Sequence, residues 1–188
     1  RNDISKVNLK SNINHEMFKW LKVGANISGN YLHNNRIPGP NLGSTIIRRA
    51  VQQRPFDRPY KPNGGYYTGG TDELLLHNAV QILSEETSYT DNYRFIGSFW
   101  AEAQIIKGLT VRASYNNDSA YTYDYIYYNQ NHPYAADKGR ILDRNRFVMT
   151  NTIDLYANYN RKIGEDFELG AMVGHSFLKT RSRTSYID

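Results

Sequence analysis

The chain has 188 residues, no cysteine, and a formal charge of +5 from 23 Lys and Arg against 18 Asp and Glu. Without cysteine there is no disulfide framework and no thiolate-held metal, and the basic residues are too scattered for a nucleic-acid-binding stripe, Arg48-Arg49 being the densest spot before the tail. No apolar run is long enough for a transmembrane helix, but a mean hydropathy of −0.68 does not exclude the membrane, because a spanning β-strand shows lipid only every second residue.

The first element is read from SKVNLKSNINHEMFKWLKVGANISGNYL, residues 5–32. Val7, Leu9, Ile13 and Met17, then Leu21, Val23, Ala25, Ile27 and Tyr31, hold the odd positions, while Lys6, Asn8, Lys10, Asn12, Asn14, Glu16, Lys22, Asn26, Ser28 and Asn30 hold the even ones. Strict alternation on both sides of Phe18-Lys19-Trp20 predicts a β-hairpin. Its strands are more than twice the usual five or six residues. A connection from about Asn35 to Asp91 follows, with a short helix expected from Ser44 through Ile46, Ile47, Ala50 and Val51 and stopped before Arg54-Pro55. Within it PNGGYYTGGTD, residues 62–72, lacks the Gly-Lys-Ser/Thr of a phosphate loop and reads as turns.

The second hairpin runs from Tyr93, Phe95, Phe99, Ala101, Ala103 and Ile105 through Ile106-Lys107-Gly108 to Leu109, Val111, Ala113 and Tyr115. After a connection of about 129–145 the third pairs Phe147, Met149, Ile153, Leu155, Ala157 and Tyr159 with Phe167, Leu169, Ala171, Val173 and Phe177 across Arg161–Asp166. Connections within hairpins are short and those between hairpins are long, the asymmetry of outer-membrane barrels with short periplasmic turns and long extracellular loops. The expected fold is all-β: an antiparallel transmembrane β-barrel segment of about six long strands in three hairpins. Turns at Lys19, Lys107 and Gly164 face the periplasm, and the connections around Gly69 and Ala136 face outward. Lipid covers the odd face. Six strands cannot enclose a wet lumen, and unpaired edges are not tolerated in lipid, so a piece of a larger barrel is expected. The competing reading is a soluble β-sandwich or calyx acting as a carbohydrate-binding module.

Several of these segments resemble a known family. VNLKSNINHEMFKWLKVGANISGNY resembles a hairpin of the SusC/RagA-like TonB-linked outer-membrane transporters, IIKGLTVRASYNND resembles their turn and strand, and RRAVQQRPFDRPYKPNGGYY resembles their helix, proline break and tyrosine stretch. HNAVQIL, residues 77–83, stands where the family often has Asn-Pro-Leu-Ala, with Ala79 in place of proline. The resemblance implies a barrel of about 22 strands around a plug, energised through the TonB complex by way of the plug, paired with a SusD-like surface lipoprotein, and importing an oligosaccharide or peptide substrate. Neither plug nor TonB box is among these residues.

Candidate chemistry is sparse. His15, His33, His77, His132 and His175 show no i, i+4 spacing, and Asp72-Glu73 and Glu85-Glu86 lie in a connection, so no catalytic residue, metal ligand or cofactor is assigned and an enzyme is disfavoured. The richest stretch is SAYTYDYIYYN, residues 119–129, where Tyr121, Tyr123, Tyr125 and Tyr127 share one face and Tyr128 takes the other. Tyrosine suits sites with one apolar and one wet end. Either these rings form a girdle at the outer headgroups, or they extend above the membrane and stack on sugar or peptide. Trp100, on the polar face of its strand, is the other substrate-binding candidate, its alternative role being contact with a plug.

Overall fold

The computed structural model describes residues 3–36, 46, 50–51, 58–67, 78–133, 135, 138–163 and 167–188. They form one antiparallel sheet of six strands in sequence order: β1 (Asp3–Phe18), β2 (Leu21–Asn35), β3 (Glu86–Ile106), β4 (Leu109–Tyr128), β5 (Arg140–Ile163) and β6 (Phe167–Ile187), with the helix α1 (Ala79–Glu85) leading into β3. The three expected hairpins are present. Their turns are tighter than the alternation suggested, Lys19-Trp20 and Lys107-Gly108 being two-residue connections, with Gly108 at φ 88°. Gly108 also accepts Asn160 N–H, and an added Cβ there would meet the Asn160 carbonyl oxygen. Two constraints therefore select glycine.

Strands β3 and β5 begin five residues earlier than expected, at Glu86 rather than Asp91 and at Arg140 rather than Asn145. Hydrophobic alternation fades there, but pairing continues on polar cross-strand bonds such as Thr90 Oγ1 to Asp124 (2.6 Å) and Tyr123 Oη to Asp143 (3.1 Å). Of the helix expected after Ser44, Ile46, Ala50 and Val51 are described and helical. Gly69, His77, Ala136 and Gly164 lie outside the described residues. The glycine-rich stretch is a turn where described: Tyr60 bridges Tyr66, Lys61 N–H bonds Gly65 O, and Gly64 sits at φ 83°. Asn78 caps α1 through Val80 N–H (2.9 Å) and donates to the carbonyls of Pro59 (2.6 Å) and Tyr67 (2.9 Å). Ala79 is thus the first helical residue, a position that proline also suits.

Apart from the pairs Phe18–Leu21 and Ile106–Leu109 beside the turns, odd residues pair with odd residues across all six strands, so the mainly apolar face is continuous: His15, Val23, Ala101, Ala113, Leu155 and His175 form one cross-strand row. No second layer covers it among the described residues. Phe99 and Leu155, on strands paired on both sides, remain 44 % and 50 % exposed, and the buried apolar residues are Ala79, Ile82, Tyr128 and Ala135, all at the loop end. A sandwich or calyx would bury the odd face within the chain; here the apolar area faces outward from a single sheet.

The turns are staggered. The row through His15 lies three residues from the end of β1 and two from the start of β2, but eight from the end of β5 and eight from the start of β6. That slip of roughly 18 Å across four strand spacings of about 4.8 Å tilts the strands by about 45° to the normal of the turn line. Among the described strands, five of the six odd-face alanines follow the same slope, Ala103 lying closer to the turns. Ala25, Ala157 and Ala171 sit in three different rows and Ala101 and Ala113 share a fourth, yet all five lie about six to seven residues from the turn line, or about 15 Å at roughly 2.3 Å of height per tilted residue.

Candidate functional site

On the even face the described side chains are mostly polar and bonded to one another across strands. Trp100 of β3 lies over Gly24 of β2, its register partner; a Cβ on Gly24 would come within 2.5 Å of the indole and 2.6 Å of Asn14 Oδ1. Glycine here makes room for an aromatic ring flat against the neighbouring strand. The Arg112 guanidinium stands 4.3 Å from the indole centroid and 3.4 Å from Glu102. A cation over an indole face with a carboxylate behind it is a rigid amphiphilic platform. Next to it, Asp154 accepts from Ser176 (2.6 Å), Asn116 (3.2 Å) and Ser114 (3.3 Å), and Asn116 accepts from Ser98 (2.6 Å). Further toward the loops Arg94 makes two bonds to Asp118, at 2.9 and 2.6 Å. This surface offers hydrogen bonds and one aromatic ring, and no described cluster of His, Asp and Glu groups three such side chains as a metal site would need.

The tyrosines lie on the opposite face. Tyr121, Tyr123, Tyr125 and Tyr127 share the odd parity of the apolar face, so Trp100 and the tyrosines are two separate surfaces. The structure adds partners that were not singled out beforehand. Tyr93 stands opposite Tyr121, with ring centroids 6.2 Å apart, and Tyr31 opposite Tyr93 at 4.9 Å. Tyr89 meets Tyr125 at 5.1 Å and Tyr123 at 6.0 Å. The tight turn at Lys107-Gly108 together with a bulge between Gln104 and Ile106 sets the register that puts Tyr93 across from Tyr121, whereas Tyr31 meets Tyr93 across the long β2–β3 connection. Tyr127 makes no ring contact among the described residues.

The hydroxyls are tied down. Tyr123 donates to Asp143 (3.1 Å), Tyr121 donates to Asn145, and Tyr31 donates to Asp91 (3.0 Å). Burial pushes the Tyr123 phenol above its ordinary range, and the bond to Asp143 adds to the shift. His33 lies in the same cluster, with Nδ1 2.7 Å from Asp91 and Nε2 3.2 Å from Asn35. The hydrogen bond to Asp91 raises the His33 pKa, against a smaller lowering by burial.

Height above the turns divides this group into two tiers. Tyr31, Tyr93 and Tyr121 lie about 29, 32 and 36 Å up, while Tyr89, Tyr123, Tyr125 and Tyr127 lie about 40 to 50 Å up. The hydrocarbon core of a bilayer is about 30 Å thick, a height that the lower tier straddles and the upper tier exceeds.

The fold has counterparts among solved structures. The chain superposes on the RagAB peptide importer in the closed-closed state with a TM-score of 0.74 at 22 % identity. It matches the RagAB peptide transporter at 0.75 and 20 %, and the importer in the open-open state at 0.73 and 20 %. Each alignment covers 98 % of this chain but only 21 to 22 % of the other. At such identities the likeness is one of fold: the sheet is built like a fifth of an importer chain. No family model matches the sequence, and no curated protein does.

Proposed function

We propose that this chain forms part of the barrel wall of a TonB-dependent outer-membrane transporter, not an enzyme, with the odd face toward lipid and the even face toward the lumen. The observation that carries the reading is the slanted alanine line. Five residues from five strands lie at one height, about 15 Å above the turns, the midplane of a hydrocarbon core about 30 Å thick. The slope is the strand tilt of transmembrane barrels. A two-layer soluble core has no reason to align its small residues obliquely to the hydrogen-bond rows.

Within that reading the substrate is a peptide or an oligosaccharide, captured with a SusD-like surface lipoprotein and moved at the expense of TonB. The first class is the one named for the superposable importers. Trp100 and Arg112 stand at mid-height on the lumen side and contact either a plug or passing substrate. Tyr31, Tyr93 and Tyr121 anchor the wall at the outer headgroups, and the upper tier of tyrosines continues it outside.

Cysteine substitution tests the topology. Single cysteines at Lys61 and Lys138, in the long connections, react with an impermeant maleimide on intact cells carrying the whole transporter. Those at Lys19 and Lys107 react only after the outer membrane is permeabilised. The reverse pattern inverts the wall and removes the basis of the proposal.

A further inference from the structure

We infer that the odd face of β6 carries a binding site for the phosphate-bearing headgroup of an outer-leaflet lipid, formed by Lys179, Arg181 and Arg183. The inference rests on the transporter reading above and deepens it. These three cations alternate with Thr180, Ser182 and Thr184, so all three charges leave the sheet on the side that holds Phe177 and Val173. That side faces lipid. Their cross-strand partners on β5 are Asn151, Met149 and Phe147, none of them acidic.

The position of the patch is as informative as its charge. Following the tilt, Phe177 is the last apolar odd-face residue of β6 before the cations, and Lys179, Arg181 and Arg183 lie about 33, 38 and 43 Å above the turns. The hydrocarbon core ends near 30 Å, so the cations begin where headgroups begin. All three are exposed, and no described carboxylate bonds them. The acids that share their face are occupied elsewhere: Asp3 by Asn35 (2.8 Å), Asp91 by Tyr31 and His33, and Asp143 by Tyr123 and Asn145 (2.7 Å). Three charges on one strand, about 6.6 Å apart and without a carboxylate partner among the described residues, repel one another, and an anion lying against them relieves that repulsion. A phosphate group accepts two parallel bonds from a guanidinium and a point contact from an ammonium, which is the pair of residue types present. Met149 and Phe147 beside the arginines supply an apolar flank for the rest of the headgroup.

The test uses the full transporter, purified in detergent, stripped of lipid and titrated with lipopolysaccharide from the host membrane, with bound lipid read by native mass spectrometry. Replacing Lys179, Arg181 and Arg183 together by Gln is expected to weaken retention by about a hundredfold, about fivefold for each basic residue at an anionic surface. Arg144→Gln with Arg146→Gln, at the same end of the sheet but on the even face, is expected to leave it unchanged. Unchanged retention in the triple variant, or an equal loss in the even-face control, overturns the site. Should the triple variant not insert, the wild-type protein decides the matter with dephosphorylated lipopolysaccharide, which must bind about a hundredfold more weakly; equal binding of both forms overturns the site as well. Failure of the transporter reading is distinguishable, since it appears in the wild-type protein as reversed cysteine labelling or absence from the outer membrane.

Discussion

A single arginine moved along the odd face measures the tilt directly. Ala103 and Ala157 lie in the same cross-strand row, joined through Val111. If the apolar face packed against a flat second layer, both would sit at one depth and Ala→Arg would cost the same at each. With the strands tilted by about 45°, Ala157 lies about 16 Å above the turns and Ala103 about 9 Å. Ala157→Arg then places its charge at the midplane of the bilayer and costs about 2–4 kcal/mol, while Ala103→Arg, closer to the interface, costs about 1–2 kcal/mol. Ala25→Arg, Ala101→Arg and Ala171→Arg, in three further rows, are expected to match Ala157→Arg. Asn26→Arg and Thr152→Arg, on the even face, are expected to be milder than any midplane change. The assay is reversible denaturant unfolding of the full barrel in lipid vesicles, followed by the heat-modifiable gel shift of folded barrels. Equal penalties at Ala103 and Ala157, with unequal ones along the alanine line, would show that the rows and not the slant set the depth, and the membrane placement would fail with them.

Other consequences are equally open to measurement. The His33 pKa is raised by Asp91, so the protonated pair stabilises the loop end fully below about pH 6.5, the ordinary histidine value, and the contribution is lost as pH rises through the folded value; the His33 imidazole signal in NMR should titrate above that value, and Asp91→Asn should bring it down. Gly24→Ala should push the indole off β2 and away from Arg112 without blocking assembly, seen as a shift of Trp100 fluorescence in a Trp20→Phe background; an unchanged spectrum contradicts the close approach. Tyr123→Ala with Tyr125→Ala should reduce substrate uptake while leaving insertion intact if the upper tier meets substrate, whereas normal uptake with poor insertion returns those rings to an anchoring role. The segment produced alone in water should aggregate, with its apolar face uncovered and the edges of β1 and β6 unpaired; a soluble, cooperatively melting monomer would refute this.

The strands and the face that each residue takes were legible in the sequence because a period of two is a local signal. Val7, Phe95 and Leu155 announce their side without reference to any other strand. Register was half legible: two-residue turns bring β1 to β2 and β3 to β4 to within one residue, each pairing then shifting at a bulge between Glu16 and Phe18 or between Gln104 and Ile106, but the pairing of β2 with β3 and β4 with β5 is set across long connections by contacts such as Tyr31 with Tyr93 and Tyr123 with Asp143. The tilt needs all five pairings at once, which is why the alanine line stayed hidden. The strand extensions at Glu86–Asp91 and Arg140–Asn145 were missed for a different reason. Their side chains no longer alternate between apolar and polar, so hydrophobic periodicity ends before the hydrogen-bonded ladder does. Trp100 was visible as an aromatic on a polar face, but the glycine that seats it is in another strand, 76 positions away.

The unequal connections also order the assembly of the wall in time. Closing a loop costs about (3/2)RT ln n, so joining β2 to β3 across residues 36–85 costs about 3 kcal/mol more than closing a two-residue hairpin, and joining β4 to β5 across residues 129–139 costs about 1.5 kcal/mol more. The three hairpins therefore form first and independently, the β4–β5 seam follows, and the β2–β3 seam is the last to zip. Until that moment two facing strand edges are open to the wrong partner. The span that joins them carries its own fastening, Asn78 holding Pro59 and Tyr67 against the start of α1, which shortens the effective loop before the strands meet. Removing that fastening by Asn78→Ala would slow the last seam more than it would weaken the finished wall.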